Sequence, residues 1–385
     1  MTTTFQGDFV FPFGVQRAQV VVVDGMIAEI RTDVATFSQA DVRCEDGQVI
    51  APGFIDIQIN GGFGKEFKSD VDAVQVVARE LVRFGTTAFC PTITTTDLNN
   101  YGNQSARLLE KFTDRSFARF LGFHFEGPAL NPKKVGAQNA ALLKTPREIN
   151  AESYLASEAL KLVTFAPELD GADELIASLR HRGIRIGIGH SIVSYDELLK
   201  VFDPSTMMMV HLFNAMEPLA SREPGIVGAA LANDAFIASI IPDGIHTHAA
   251  IISVIWKAKA DKRKIICVSD GSAVAGLPPG TYQVGERMIT RQEDRATLPG
   301  GTLVGSVLTL DQAVRNLIKF TGCGLSEAVN SVTLNPAAFL GIETTIGQIA
   351  VGRRADLVVL DADLFVMKTF VDGRLRYEND VRRPG

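Results

Sequence analysis

Short runs rich in β-branched and aromatic residues recur along the middle of the chain, and many end abruptly in a polar residue. Eight stand out, at residues 53–60, 86–92, 120–126, 162–168, 184–190, 207–212, 236–243 and 264–270. Several intervening stretches carry apolar residues every three or four positions and predict helices, at 71–84, 172–182, 195–202 and 248–260. A further helix is predicted at 308–320, after a long Gly/Pro-rich stretch that follows the eighth run. Strand and helix alternating eight times predicts a parallel (β/α)8 barrel of the TIM type, an α/β fold.

Both ends of the chain follow another rhythm. Residues 18–23, the turn Asp24-Gly25 and residues 26–30 pattern as a hairpin, and so do residues 368–371, Asp372-Gly373 and 374–377, with a strand at 357–360 before them. Asp-Gly between short apolar runs is a strong hairpin signal. Two such ends around one long middle predict a single small β-domain built from both termini.

Composition narrows the class. The 385 residues are 46% hydrophobic and 21% charged, which excludes a disordered chain. The formal charge of −6, with no block of five like charges, argues against a nucleic-acid partner. No basic segment leads into an apolar stretch near Met1, and no apolar run approaches a membrane span, so a soluble, cytoplasmic protein with no membrane partner is expected. Cys44, Cys90, Cys267 and Cys323 have no paired spacing and read as buried apolar thiols.

In such barrels the chemistry sits at the C-terminal ends of the strands, where the loops form the open face. Those ends supply Gln58 and Asn60 from the first run, Glu126 from the third, His190 from the fifth, His211 from the sixth and Asp270 from the eighth. One carboxylate and two imidazoles are the ligands expected of a catalytic divalent metal with an open position. Asp270 need not be a ligand: a carboxylate beside the metal can take a proton from water and deliver it to a leaving group. Its other reading is a turn residue before Gly271. His181 and His248 read as solvent-facing or loop residues, and Met207-Met208-Met209 as core.

The contexts of these residues carry a resemblance. His124-Phe125-Glu126-Gly127-Pro128, Gly189-His190-Ser191, His211-Leu212-Phe213-Asn214-Ala215-Met216, Arg222-Glu223-Pro224-Gly225, Asp243-Gly244-Ile245-His246 and Ser269-Asp270 resemble, in order, the motifs of the N-acetylglucosamine-6-phosphate deacetylases of the amidohydrolase superfamily. The opening Ala51-Pro52-Gly53-Phe54-Ile55-Asp56 and the closing Gly352-Arg353-Arg354-Ala355-Asp356-Leu357 extend it over almost the whole chain. The resemblance implies a barrel at residues 51–343 with a β-sandwich from 1–50 and 344–385. It implies Glu126, His190 and His211 as metal ligands and Asp270 as general acid and base. Asn214, Ala215, Arg222, His246 and the segment Thr302-Leu303-Val304-Gly305-Ser306 fall where the family holds the sugar phosphate. Arg222 is expected to reach the neighbouring subunit of a homodimer.

Many amidohydrolases end the first strand in His-x-His and bind a second metal there. This chain has Gln58-x-Asn60, and neutral amides are poor zinc ligands, so one divalent metal per subunit is expected, zinc first, with Fe2+, Co2+ or Mn2+ as alternatives. The family also reads Lys-x-Gly-Ala-His after its Glu-Gly-Pro, the His polarising the acetamide. Here the segment is Lys134-Val135-Gly136-Ala137-Gln138, and Gln138 donates a hydrogen bond without carrying charge. The leading expectation is hydrolysis of the acetamide of N-acetylglucosamine 6-phosphate to acetate and the free amine. Deacetylation of the galactosamine epimer, hydrolysis of another N-acyl compound and non-catalytic sugar-phosphate binding are the alternatives.

Overall fold

The computed structural model describes residues 1–149 and 152–379. Eight strands make the middle of the chain: β1 (Phe54–Ile59), β2 (Thr86–Thr94), β3 (Phe123–Glu126), β4 (Leu160–Phe165), β5 (Arg185–Ile188), β6 (Met207–Met209), β7 (Ile237–Ile240) and β8 (Ile265–Cys267). Each pairs in parallel with the next. The ring closes between its first and last members, where the Asp270 N–H donates to the Gln58 carbonyl at 2.9 Å and the Asn60 N–H to the Gly271 carbonyl at 2.8 Å. Nearly every strand residue is buried, because helices cover the outside while side chains fill the inside. All three methionines of β6 are part of that core.

Helices Ala73–Leu81, Ala172–His181, Tyr195–Val201, Ala249–Ala258 and Leu310–Thr321 lie where the apolar spacing predicts them. Ser194 and Glu197 form a reciprocal capping box that fixes the start of the third. His248 caps the fourth by accepting from the Ala250 N–H at 3.2 Å, and His181 ends the second, exposed. Leu98–Lys111 and Gly225–Ala232 are helices that the pattern does not announce. The first buries polar Gln104 and Ser105, and the second is small and apolar on every face, so neither shows a clean stripe.

Several of the predicted strands are shorter than their apolar runs, and three of these matter at the site. The ladder stops at Ile188, Met209 and Cys267, and His190, His211 and Asp270 stand just beyond, with φ of 50°, 36° and 48°. That left-handed backbone is rare for residues with a Cβ, and each instance costs on the order of 1–3 kcal/mol. It turns the chain out of the ladder at the barrel's mouth.

The chain ends meet in one sheet. Its order is Arg374–Glu378, Val366–Val371, Leu357–Leu360, Val49–Pro52, Thr2–Phe11, Gly14–Val23 and Met26–Arg31, with Val42–Arg43 also against Thr2–Phe11. It curls over Phe5, Phe9, Val20, Leu357 and Phe370. The two Asp-Gly turns come together, the Ala355 N–H donating to the Gly25 carbonyl and the Gly373 N–H to the Ala355 carbonyl, both at 2.8 Å.

The Gly/Pro-rich stretch after β8 is a small antiparallel sheet of Gly280–Val284, Arg287–Arg291 and Ala296–Thr297. Val284, Ile289 and Ala296 pack it onto Ala273, Val274 and Val304, with Ala137 against the same cluster. It is thereby fixed beside the mouth of the barrel.

Candidate active site

A cavity of about 310 Å3 opens at the C-terminal ends of the strands. Glu126, His190, His211 and Asp270 line it, so the polar residues read from four separate strand ends do meet. All four are at most 9% exposed.

Three groups converge on one atom. Glu126 Oε1 lies 3.3 Å from His190 Nε2 and 3.1 Å from His211 Nε2, and it accepts from Gln58 Nε2 at 3.2 Å. His190 Nδ1 donates to the Lys134 carbonyl at 2.8 Å, which turns Nε2 toward Glu126 as the nitrogen that would ligate. The donor set fits a metal: ligand atoms about 2.0–2.1 Å from a tetrahedral zinc stand roughly 3.3 Å apart. Among the described residues this is the group of metal-ligating side chains that comes together, its ligand atoms within 4.8 Å of one another.

Supports behind the ligands are spread along the chain. Ser239 Oγ accepts the His211 N–H at 2.8 Å. Glu168, at the end of the fourth apolar run, accepts from Ser191 Oγ at 2.6 Å and the Ile192 N–H at 2.7 Å, pinning the residues that follow His190. Gly305 allows the close approach that completes the mouth: at its φ of +54° a Cβ would fall 2.7 Å from the Asp270 carbonyl, to which the Ser306 N–H donates at 2.8 Å.

Electrostatics separate the two carboxylates. Burial alone would disfavour ionisation of Glu126, but its hydrogen bonds to His190 and His211, and their charges, outweigh it and hold the carboxyl well below its ordinary range. Burial first, then repulsion from Glu126, pushes Asp270 up to about 6, against the pull of His211 and His246 and the hydrogen bond from Asn60. That bond runs from Asn60 Nδ2 to Asp270 Oδ1 at 2.8 Å. One carboxylate is thus held as an anion and the other is poised to exchange a proton near neutrality.

The remaining predicted positions divide. Asn60, Ala137, Gln138, Asn214, Ala215, His246, Leu303, Val304 and Gly305 line the cavity. Gln58 is fully buried behind Glu126. Gln138 Oε1 accepts from the Thr95 N–H at 2.7 Å, which leaves the amide nitrogen as its donor end. His246 Nδ1 is held by Asp243 Oδ2 at 2.6 Å. Arg222 does not join them: it is exposed, in the loop before helix Gly225–Ala232, and the cavity of its own chain has no contribution from it.

Sequence reasoning passed over Glu66, Lys68 and Arg287, which also line the cavity. The signal for the first two was position, a charged run directly after β1 and hence at the mouth. Nothing local marks Arg287, which arrives from the small antiparallel sheet.

Comparison with known proteins agrees with this geometry. Residues 49–376 match the amidohydrolase family. An N-acetylglucosamine-6-phosphate deacetylase from Danio rerio is 35% identical over 89% of this chain and 87% of its own length. An N-acetylgalactosamine-6-phosphate deacetylase from Escherichia coli O157:H7 is 30% identical over 93% of this chain and 94% of its own. A mutant N-acetyl-D-glucosamine-6-phosphate deacetylase from Mycobacterium smegmatis, solved with N-acetyl-D-glucosamine-6-phosphate, superposes with a TM-score of 0.89 at 27% identity, over 97% of this chain and 99% of that one. With the barrel, the buried Glu-His-His group and matches of this length, the chain belongs to the amidohydrolase family.

Proposed function

We propose that this chain hydrolyses the acetamide of N-acetyl-D-glucosamine 6-phosphate, releasing acetate and D-glucosamine 6-phosphate, in amino-sugar catabolism in the cytoplasm. The observation that carries the reading is the convergence of Glu126, His190 and His211 on one point in a cavity that Asp270 also lines. These three residues would hold one divalent cation, zinc first, which supplies Lewis acidity toward a carbonyl and makes water more acidic. Gln58 and Asn60 stand where a second metal's His pair would be, and both spend their amide N–H on carboxylates instead.

The chain's own groups then have distinct tasks. Asp270 takes a proton from the attacking water and returns it to the departing nitrogen, which must leave as an amine because an amide anion is a very poor leaving group. Gln138, its carbonyl end tied to Thr95, directs an N–H at the acetamide oxygen as negative charge develops there. Asn214, Ala215 and His246, with the backbone around Leu303, Val304 and Gly305, hold the phosphorylated sugar. Arg222 completes the phosphate contact from the partner subunit of a homodimer.

The galactosamine epimer is the second reading, favoured by the Escherichia coli relative. Acetate release from both N-acetylated sugars, with and without 6-phosphate, tests the two together. Turnover of the glucosamine compound, lost without phosphate, is expected. Turnover of the galactosamine compound alone would assign the epimer, and no acetate from any of them would end the proposal.

A further inference from the structure

The cavity has two unlike walls. Asn214, Ala215, Ile241 and His246, from the segments after β6 and β7, make one. The other is made by the segments after β1, β2 and β3 with the small antiparallel sheet and residues 302–305 joined to it. There Gln138 is tied to Thr95, its neighbour Ala137 packs in the same cluster as Ile289, and the Lys68 carbonyl accepts from Asn100 Nδ2 at 3.2 Å. In an eight-stranded ring, β2 and β6 lie opposite each other.

The second wall carries the fixed positive charge. Among the described residues, Lys68 and Arg287 are the Lys and Arg that line the cavity, and both gather on one buried carboxylate. Arg287 Nη2 donates to Glu66 Oε1, and Lys68 Nζ lies 3.6 Å from the same atom. Two cations on one anion leave a net positive charge at this end of a cavity whose other carboxyl groups are Glu126 and Asp270. Burial, with Arg287 adding repulsion, outweighs Glu66 and holds the Lys68 ammonium below its ordinary range, so an arriving anion would relieve it. The proposed mechanism occupies Gln138 with the acyl carbonyl, and Asn214, Ala215 and His246, with the backbone around Leu303, Val304 and Gly305, with the phosphorylated sugar. Arg287 is on the strand of Ile289, which packs in one cluster with Ala137, the neighbour of the Gln138 that would meet the acyl carbonyl.

We infer that Lys68 and Arg287 form an acyl-end subsite for a carboxylate, so that the chain also cleaves amides of short dicarboxylic acids from the amino-sugar phosphate. The inference rests on the amide-hydrolysis reading above. The chemistry is unchanged: the C–N bond breaks, the water oxygen joins the acyl carbon, and the nitrogen leaves with the water's proton, giving a dicarboxylate and the amine. A guanidinium and an ammonium side by side suit a carboxylate, and they offer a bare methyl nothing.

The test uses N-carboxyacetyl-glucosamine 6-phosphate beside the N-acetyl compound, with the metal-loaded enzyme. Turnover of the carboxyacetyl compound at a kcat/KM no lower than that of the acetyl one is expected. Lys68→Met and Arg287→Met should each reduce it at least tenfold more than they reduce acetyl turnover, chiefly through KM, with Arg287→Lys keeping more than Arg287→Met. Acetyl turnover without carboxyacetyl turnover, or equal losses on both, would overturn this subsite and leave the deacetylase reading standing. Losses that follow the presence of phosphate would also overturn it, by assigning the two cations to the phosphate. If neither compound is cleaved, the amide-hydrolysis reading fails first.

Discussion

The mouth of the barrel and the curled terminal sheet are built to opposite rules. In the terminal region a charge is matched where it stands: Arg354 grips Asp372 through two bonds of 2.7 and 2.9 Å, and Arg119 adds a third at 2.9 Å. Its left-handed non-glycine residues are Asp24 and Asp372, in turns where that backbone is ordinary, and Leu364 in a loop between two strands. At the mouth the left-handed residues include His190, His211, Ala215 and Asp270, and Gln58 Oε1, Asn60 Oδ1 and His211 Nδ1 are buried without a partner, against Thr369 Oγ1 and Arg376 Nε in the terminal sheet. Each unpaired atom costs about 1–3 kcal/mol. The difference separates residues that hold the fold from residues that the fold holds, in geometry and charge states it would not otherwise favour.

The comparison breaks most visibly at the ligands. His190→Ala and His211→Ala should each drop bound metal from one per chain to none and remove activity, as elemental analysis beside acetate release would reveal. Two metals per active parent chain would instead overturn the single-metal assignment. Asp270→Asn should lower kcat by about 10²–10⁴-fold while metal content stays at one. A loss of threefold or less would remove Asp270 from the mechanism.

A third break lies below the mouth. Asp56 is fully buried, and burial pushes its carboxyl up to about 7, against hydrogen bonds from Ser269 and Gln58. A group whose pKa is higher folded than unfolded contributes fully at low pH and loses that contribution as pH rises through the folded value. From pH 4 to above 7 the cost is on the order of 4 kcal/mol. Asp56→Asn keeps the acceptor oxygen and removes the titration, so urea midpoints should match the parent's near pH 4 and exceed them at pH 8. An unchanged slope would show that Asp56 does not titrate there.

Breaking the other region should do the reverse of breaking the mouth. Arg354→Ala removes a bidentate, half-buried pair and should cost about 1–2 kcal/mol of stability with kcat left alone, readable as a lowered urea midpoint beside an unaltered turnover. Smallest of all, Gln138→His should keep activity on N-acetylglucosamine 6-phosphate or raise it a few-fold, since a second donor type replaces the first. A mutant that loses that turnover would mean Gln138 is matched to this pocket for another reason.

Much of this molecule was legible in one dimension. Apolar runs marked all eight barrel strands, because a parallel strand covered on both faces must be apolar along its length. The Asp-Gly pairs marked both terminal hairpins, because those turns need backbone that Asp and Gly tolerate. Glu126, His190, His211 and Asp270 were readable for a related reason, since a polar residue ending an apolar run lies at the mouth whatever the rest of the chain does. Where each ladder stops was not readable, as the left-handed turns at His190, His211 and Asp270 are imposed by the neighbouring strands. Nor was the meeting of Glu66 with Arg287, 221 residues apart, or of Glu168 with Ser191. Periodicity reaches only as far as one strand or helix, whereas the partner of a buried charge is chosen by how the ring closes and which loop is packed over it.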